Sequence, residues 1–167
     1  MNDRVEKRLI HFIRENKENI YRLAFSYVKN EQNALDIIQE SIHKALSSSQ
    51  SLKSEGSMKS WFYRIVVNTS LDFLRKQKRF QLVDDQTLEL LAPSSEDNYH
   101  DIDLERALDE LPHAFRTVIL LRYFEDLKIG EIAEVLNENV STVKTRLYPA
   151  LRKLRLNIGE ESLEEVQ

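Results

Sequence analysis

The spacing of apolar residues along the chain is helical. In the first segment such residues recur at intervals of three and four: Leu9, Ile13, Ile20, Leu23, Ala24, Tyr27 and Val28. A second helical face follows Asn33, which we expect to cap that helix, and a third helix is expected from about Ser57 to Arg79. Between them the serine-rich segment 47–57 interrupts the pattern and predicts a loop.

Helical spacing stops at residues 81–101, which hold one short apolar cluster and predict a linker, because such a segment buries too little surface to fold alone. The spacing returns at Ile102, and Pro112 suits the first turn of a further helix. We expect an all-α chain with two small helical domains. Their predicted limits are residues 1–80 and 102–158, joined by a flexible acidic linker at 81–101 and followed by an acidic tail at 159–167.

The segment 127–154 predicts a helix-turn-helix, with helices over about 128–136 and 142–156. Asn137 and Asn139 suit a turn, because asparagine tolerates the left-handed conformation. Val140 is expected to pack in the angle between the helices, and Ser141 to cap the second helix. A helical hairpin with a solvated basic face is the alternative; the coincidence of turn, cap, angle residue and basic face favours DNA binding.

Charge is distributed unevenly along the chain. The formal net charge of −4 by itself argues weakly against nucleic acid. However, residues 59–79 carry six bases and one acid, residues 141–156 carry five bases and no acid, and residues 84–110 carry ten acids and one base. This pattern predicts two sites for a polyanion, separated by a strongly negative connector.

The basic third helix places Trp61, Arg64, Asn68, Asp72 and Arg75 on one face, at steps of three and four. An aromatic ring, an amide and guanidinium groups can stack on an unpaired base, bond to its edge and hold phosphates. Taken alone, the residues favour a simpler interpretation, in which Trp61 belongs to the core and Arg64 and Asp72 form surface pairs.

The composition argues against several kinds of chemistry. There is no cysteine for a disulfide, a thiol nucleophile or cysteine-bound zinc, and the three glycines do not form a phosphate-binding loop. The four histidines are scattered, and no nucleophile lies beside a base. We therefore expect no enzyme activity, no metal, no cofactor and no small-molecule substrate. The sequence shows no membrane span and no signal peptide, which predicts a cytoplasmic protein.

Several motifs together resemble the extracytoplasmic-function (ECF) group of the sigma-70 family of bacterial transcription initiation factors. These are residues 33–40 (NALDIIQE), 60–68 (SWFYRIVVN), 72–76 (DFLRK), 108–112 (LDELP), 121–125 (LRYFE), 130–133 (GEIA) and 143–148 (VKTRLY). The segment 21–28 (YRLAFSYV) is similar to Bacillus members of the family. The resemblance runs from about residue 8 to 157 and implies sigma region 2 in the first domain and sigma region 4 in the second.

The resemblance also implies roles for individual residues. The core RNA polymerase, through its β′ clamp helices, would contact Asp36, Ile37, Gln39 and Glu40. The melted −10 strand of promoter DNA would contact Ser54, Trp61, Arg64, Asn68, Arg75 and Lys76, with the loop 47–57 receiving a flipped base. The −35 duplex would contact Ser141, Thr142, Lys144, Thr145, Arg146, Tyr148 and Arg152. On the residues alone, the acids of residues 36–40 fit a solvated helix face equally well.

Further partners follow from the same resemblance: the polymerase β flap, and a membrane-anchored anti-sigma factor that restrains the protein in a cell-envelope stress response. The active protein would associate with the nucleoid, and the restrained protein would be held at the membrane. The acidic linker would thread toward the polymerase cleft, or cover the basic faces in the free protein. Deletion of residues 84–101 without a gain in DNA binding would contradict that second hypothesis.

Two residues depart from the family pattern. Asn33 replaces a common acid, which is expected to weaken the polymerase contact slightly, and Pro149 replaces a common arginine or lysine. Proline inside a helix removes a backbone hydrogen bond, here to the carbonyl of Thr145, and costs about 3 kcal/mol. We therefore predict a kink at Pro149 and one lost DNA contact.

Two other classes of protein compete with this interpretation. A stand-alone helix-turn-helix regulator would bind duplex DNA without polymerase, usually as a dimer, but it leaves the basic third helix and residues 36–40 unexplained. A helical adaptor that binds only protein would show no salt-sensitive affinity for DNA.

Overall fold

A computed structural model of the protein describes residues 3–83 and 102–158. The chain divides into two compact units, residues 1–94 and residues 95–167. In both, the described residues form helices and turns without strands, so the predicted all-α class with two small helical domains is confirmed. The predicted linker lies mostly, and the predicted tail entirely, outside the described residues.

Within residues 3–83, the N-terminal unit contains four α-helices and two short 3₁₀ turns. The helices are α1 (Asp3–Glu15), α2 (Lys17–Val28), α3 (Glu31–Ser47) and α4 (Met58–Val83). The 3₁₀ turns, Ser49–Ser51 and Glu55–Ser57, lie in the predicted loop between α3 and α4. Helices α2, α3 and α4 pack on one another around the core, so α4 presents its remaining face to solvent.

The core of the N-terminal unit is rich in aromatic rings. Phe12 of α1 meets Phe62 and Tyr63 of α4 edge-on, with centroids 5.9 and 6.0 Å apart. Phe62 and Tyr63 are both fully buried. Edge-to-face contacts of this kind add to the free energy gained from burying the rings. They fix the rotation of α4, and with it the direction of its polar face.

The cap of α3 differs from the prediction by one turn. Asn30, not Asn33, precedes the helix, and its side-chain oxygen accepts a hydrogen bond from the backbone N–H of Asn33 at 2.9 Å. The prediction of Asn33 as the cap is therefore wrong. The physical reason is that Lys29 already leaves α2 in a left-handed conformation (φ 55°), which brings Asn30 into the extended conformation of a cap.

The C-terminal unit holds four α-helices and one π-helical turn in the described residues. The helices are α5 (Ile102–Asp109), α6 (His113–Ile119), α7 (Ile129–Leu136) and α8 (Val140–Ile158), with the π turn at Leu120–Phe124. Pro112 directly precedes α6 as its N-cap residue. Helix α8 packs against α5, α6 and α7, so one long helix supports the whole unit.

The core of the C-terminal unit contains charged residues. Arg116 is 8% exposed and Glu125 is 1% exposed. The guanidinium of Arg116 lies 3.4 Å from the carbonyl oxygen of Asp109, to which it donates, and 3.2 Å from Nδ1 of His113. Buried charges need such partners, because removal from water is costly. The sequence analysis did not anticipate this network.

Helices α7 and α8 and the turn between them form a helix-turn-helix. Asn137 adopts the predicted left-handed conformation (φ 54°) at the end of α7. The cap of α8 is Asn139, whose side-chain oxygen accepts from the N–H of Thr142 at 2.8 Å. The predicted cap, Ser141, is wrong: α8 begins at Val140, and the Ser141 hydroxyl donates to Asn139 instead. Val140 is 43% exposed and does not fill the interhelical angle.

Pro149 lies inside α8, which continues past it to Ile158. One turn earlier, the Thr145 hydroxyl donates to the carbonyl of Ser141 at 2.6 Å. Because proline has no N–H, residue 149 offers no hydrogen bond to the carbonyl of Thr145. Helix α8 is therefore continuous across Pro149. The predicted kink stays a prediction.

Within the described ranges, no helix is long and apolar enough to cross a membrane.

Candidate functional site

A polar face runs along α4. Arg64, Asn68 and Arg75 are exposed, at helical steps of four and seven that put them on one side, and the exposed Lys76 lies beside this row. Trp61 begins this row and is half-buried; its indole N–H donates to the hydroxyl of Ser51 at 2.9 Å. The interpretation of Trp61 as a core residue is therefore wrong, because the indole ties the loop between α3 and α4 to the polar face.

The loop between α3 and α4 is held at its other end by α1. Glu55 forms ion pairs with Arg8 and, at 3.4 Å, with Arg4. Ser54 is exposed, and its carbonyl accepts a hydrogen bond from the Ser57 hydroxyl at 2.8 Å. The carboxylate of Glu55 is thus neutralised next to the surface that the sequence analysis assigns to DNA.

An open groove of about 400 Å³ lies between the C-terminal end of α3 and the middle of α4, on the surface of the two packed helices. It is lined by His43, Lys44, Ser47, Ser48, Ile65, Asn68 and Thr69. The Lys44 ammonium donates to the Thr69 hydroxyl at 3.2 Å and lies 3.9 Å from the Asp72 carboxylate. A cation, hydroxyls and an amide around an open groove suit the polar edge of a base or a phosphate.

The residues of α3 that line this groove were missed by the sequence analysis. The available signal was the placement of His43, Lys44, Ser47 and Ser48 one turn apart at the end of α3, directly before the loop. That they face Asn68 depends on how α3 and α4 pack, which the spacing of either helix alone does not specify.

Helix α3 also presents an acidic surface. Asp36, Gln39 and Glu40 are exposed, and Asp36 accepts a hydrogen bond from the Gln32 side chain at 3.1 Å. Ile37 is 1% exposed and belongs to the core. The expectation that Ile37 contacts a partner is therefore corrected, because its side chain points between helices. The neighbouring Leu35, which the sequence analysis did not single out, is 46% exposed and adds an apolar side chain to this surface.

Helix α8 carries the second basic face. Ser141, Lys144, Thr145, Tyr148 and Arg152 are exposed, while Thr142 and Arg146 are half-buried. The opposite side of α8 is anchored by Val143, Leu147 and Ala150, which are buried. All seven predicted −35 residues thus lie on α8. Ser141 is also engaged in the turn, through its bond to Asn139.

Arg146 forms an ion pair with Glu138 of the turn between α7 and α8. The guanidinium Nη2 lies 3.1 Å from the carboxylate of Glu138. The sequence analysis missed Glu138, although its place in a turn beside a basic helix was a signal. This acid lies within the surface that would face a polyanion, so its pairing affects how that surface is presented.

No cluster of histidine and acidic side chains that could hold a metal ion occurs among the residues that the structure describes.

The fold and its surfaces define a class of protein with two helical units. Each unit carries a basic face, and the basic face of the second unit belongs to a helix-turn-helix. Family models agree with this division. "Sigma-70 region 2" matches residues 12–80, and "Sigma-70, region 4" matches residues 101–154.

Similar proteins narrow the class. The chain is 55% identical to the RNA polymerase sigma factor SigV of Bacillus subtilis (strain 168) over 155 residues, which cover 93% of each protein. It is 31% identical to the ECF RNA polymerase sigma factor SigW of the same organism, over 86% of this chain and 85% of SigW. A co-crystal structure of the sigma factor RpoE with the anti-sigma factor NepR from Bartonella quintana matches the fold with a TM-score of 0.73. That match has 20% identity and covers 89% of this chain and 96% of RpoE.

The chain belongs to the ECF group of the sigma-70 family. It is a transcription initiation factor that acts with RNA polymerase on promoter DNA, and it is not an enzyme. The predicted family is confirmed, and the stand-alone regulator is not favoured.

Proposed function

We propose that this sigma factor directs core RNA polymerase to promoters through two separate DNA surfaces, one in each domain. The observation that carries the proposal is the hydrogen bond from Trp61 to Ser51, which attaches the loop between α3 and α4 to the exposed basic face of α4. A regulator that reads only duplex DNA has no need of such a site. An aromatic ring at the start of a row of exposed guanidinium groups suits an unpaired strand.

The N-terminal surface would hold the melted −10 strand. Arg64, Arg75 and Lys76 would meet phosphates, Trp61 would stack, and Asn68 would bond to the edge of a base. Ser54 and the loop would receive a flipped base, whose unstacking costs only a few kcal/mol. The groove beside Asn68 supports this assignment, and so does the exposure of Ser54, Arg64, Asn68, Arg75 and Lys76.

The C-terminal surface would read the −35 duplex. Thr142, Lys144, Thr145 and Arg146 lie in the first half of α8, where a recognition helix meets base edges. Ser141, Tyr148 and Arg152 would contact the backbone on either side. The burial of the opposite face of α8 supports this orientation, since only one side of the helix is left for DNA.

The acidic surface of α3 would bind the β′ clamp helices of the polymerase, through Asp36, Gln39 and Glu40. Exposed carboxylates suit a basic partner helix, and the exposed Leu35 offers apolar contact. The β flap would be the second polymerase contact, made by the C-terminal unit.

We also propose that an anti-sigma factor anchored in the membrane restrains the protein, as part of a response to cell-envelope stress. The protein itself would act in the cytoplasm, at the nucleoid, where polymerase and promoters are found. Support comes from the family and from RpoE, which was crystallised with an anti-sigma factor. Fractionation of cells with and without envelope stress tests this: release from the membrane fraction on stress is expected, and an unchanged distribution would contradict it.

In vitro run-off transcription tests the main proposal. The protein is mixed with bacterial core polymerase and a promoter library, and the transcripts are sequenced. We expect polymerase-dependent starts that share a −35 and a −10 element. Duplex binding without polymerase-dependent starts would instead support a stand-alone regulator.

A charge-reversal variant of α3 sharpens the test. Asp36→Lys with Glu40→Lys should abolish the transcripts but leave duplex binding by the free protein intact. The matched control is Glu31→Lys, an exposed acid two and a half turns before Glu40 and therefore on the other side of the same helix. Equal loss in both variants would contradict a specific role for residues 36–40.

A further inference from the structure

The turn of the helix-turn-helix fixes the position of Glu138 from both sides. Its backbone N–H donates to the carbonyl of Ala133 at 2.9 Å, which ties it to α7. The residue before it, Asn137, is in the left-handed conformation, and the residue after it, Asn139, caps α8. The carboxylate of Glu138 therefore projects from a well-anchored backbone.

Arg146 is held by this carboxylate through one nitrogen. Only Nη2 is engaged, at 3.1 Å from Glu138, and the structure gives no partner for Nη1 or Nε among the described residues. The side chain is 30% exposed, far less than that of Arg75 at 70%. An arginine carries five N–H donors in a planar fork, so one bond to Glu138 restrains where the guanidinium lies and leaves donors available for a ligand.

A fixed guanidinium in the first half of a recognition helix has a preferred ligand. The bidentate contact of arginine with O6 and N7 of guanine is the commonest specific contact in the major groove. An arginine that is already oriented loses less conformational freedom when it makes this contact. A freely rotating arginine would meet phosphates as readily as bases.

We infer that Glu138 is a positioning residue for −35 recognition, which orients Arg146 so that the guanidinium selects a guanine in the promoter. The inference rests on the proposed role of α8 in reading the −35 duplex. In this inference, an acidic residue in the DNA-facing surface contributes to the choice of base. Electrostatics alone predicts the opposite effect, since a carboxylate close to phosphates lowers affinity for every sequence.

The test uses the full-length protein in a holoenzyme with core polymerase, and a promoter library randomised over the −35 element. Sequencing of the transcripts gives the preference for each base at each position. For Glu138→Ala, we expect the preference for guanine at one position to fall about tenfold. Binding of the free protein to unrelated duplex DNA should stay equal or become tighter.

Two further variants distinguish the effect of the Glu138–Arg146 ion pair from the effect of removing a negative charge. Glu134→Ala removes an exposed acid of the same type from α7, and should leave the base preferences unchanged. Arg146→Lys keeps the positive charge but loses the fork, and should lose preference at the same position as Glu138→Ala. The double variant should then be no less selective than Arg146→Lys alone, because both substitutions remove one interaction.

Different failures have different meanings. Uniformly tighter binding by Glu138→Ala, with unchanged base preferences and an unchanged melting temperature, would overturn the inference. So would a loss of preference in Glu134→Ala equal to that in Glu138→Ala. If the wild-type holoenzyme selects no −35 element at all, the proposed function of α8 fails, and the inference fails with it. A preference in the wild type that neither Glu138→Ala nor Arg146→Lys alters would overturn the inference alone.

Discussion

Each of the two basic faces holds an ion pair with a neighbouring acid, and the two ion pairs differ in how far they are exposed to solvent. On α4, Asp72 lies 3.1 Å from Arg75, and the two side chains are 51% and 70% exposed. At the helix-turn-helix, Glu138 lies equally close to Arg146, but the side chains are 37% and 30% exposed. Both pairs are exposed, but the second is exposed less, and screening by water and salt weakens as exposure falls. The contrast suits a flexible single strand on one face and a rigid duplex on the other.

The cores below these faces also differ. The N-terminal unit buries aromatic rings that meet edge-on, while the C-terminal unit buries Arg116 and Glu125. An aromatic core depends on the volume and shape of its rings, and a charged core depends on its hydrogen bonds. The two units should therefore respond to different kinds of substitution.

The largest expected effect tests the aromatic core. Phe62→Ala should lower the free energy of unfolding of the N-terminal unit by about 3–5 kcal/mol, because it leaves a cavity beside Phe12. Phe80→Ala is the control on the same helix: Phe80 is 77% exposed, and its loss should change stability by less than ~0.5 kcal/mol. The stabilities of both variants are measured by chemical denaturation, with hydrogen exchange of the amides of α2–α4 as the signal. Similar effects of the two variants would contradict the described packing of α4.

The next largest effect concerns Pro149: α8 has a proline inside the helix, whereas α4 has none. Pro149→Ala should stabilise the C-terminal unit by up to about 3 kcal/mol, because alanine restores a backbone N–H for the Thr145 carbonyl. Pro149→Arg should in addition raise promoter affinity by adding a DNA contact. Thermal unfolding and binding of −35 duplex DNA measure the two effects. If Pro149→Arg binds no better than Pro149→Ala, no DNA contact is missing at this position.

The third prediction separates stacking from loop anchoring at Trp61. Trp61→Ala should weaken binding of a −10 single strand by the holoenzyme by about 1–3 kcal/mol, as expected for loss of one stacked base. Ser51→Ala removes the acceptor of the indole N–H together with the hydrogen bond that the same hydroxyl donates to the Ser48 carbonyl at 2.7 Å, and should weaken binding of the same strand by about 0.5–1.5 kcal/mol. Fluorescence anisotropy with a labelled oligonucleotide measures both. Full affinity in Trp61→Ala would exclude stacking, and a larger loss in Ser51→Ala would indicate that Trp61 acts mainly through the loop.

The smallest effect tests the contrast between the two ion pairs directly. Double-mutant cycles should give a coupling free energy of a few tenths of a kcal/mol for Asp72 with Arg75, and about 1 kcal/mol for Glu138 with Arg146. The cycles are measured by urea denaturation at low and high salt, and the coupling of Asp72 with Arg75 should fall by the larger fraction at high salt. Equal couplings with equal salt dependence would remove the distinction between the two faces.

The sequence by itself determined most of the helices, the two domains and the left-handed turn at Asn137. These features are local: apolar residues at steps of three and four predict a helix wherever they occur, and asparagine adopts positive φ at little cost. The sequence predicted one helix over the first apolar stretch, which the structure divides at Asn16 into α1 and α2. The predicted caps Asn33 and Ser141 are wrong because each helix begins earlier than expected, at Glu31 and Val140, where Asn30 and Asn139 cap it.

Only the tertiary structure decided which side chains meet across the chain. Ile37 and Asp36 are neighbours in one motif, yet one is buried and the other exposed, because α3 turns a single face to the core. The bond between Trp61 and Ser51, the groove beside Asn68 and the pair of Arg146 with Glu138 depend on helix packing and turn geometry. Periodicity fixes which residues share a helix face, whereas contacts between faces depend on the rotation and crossing of helices that are distant in sequence.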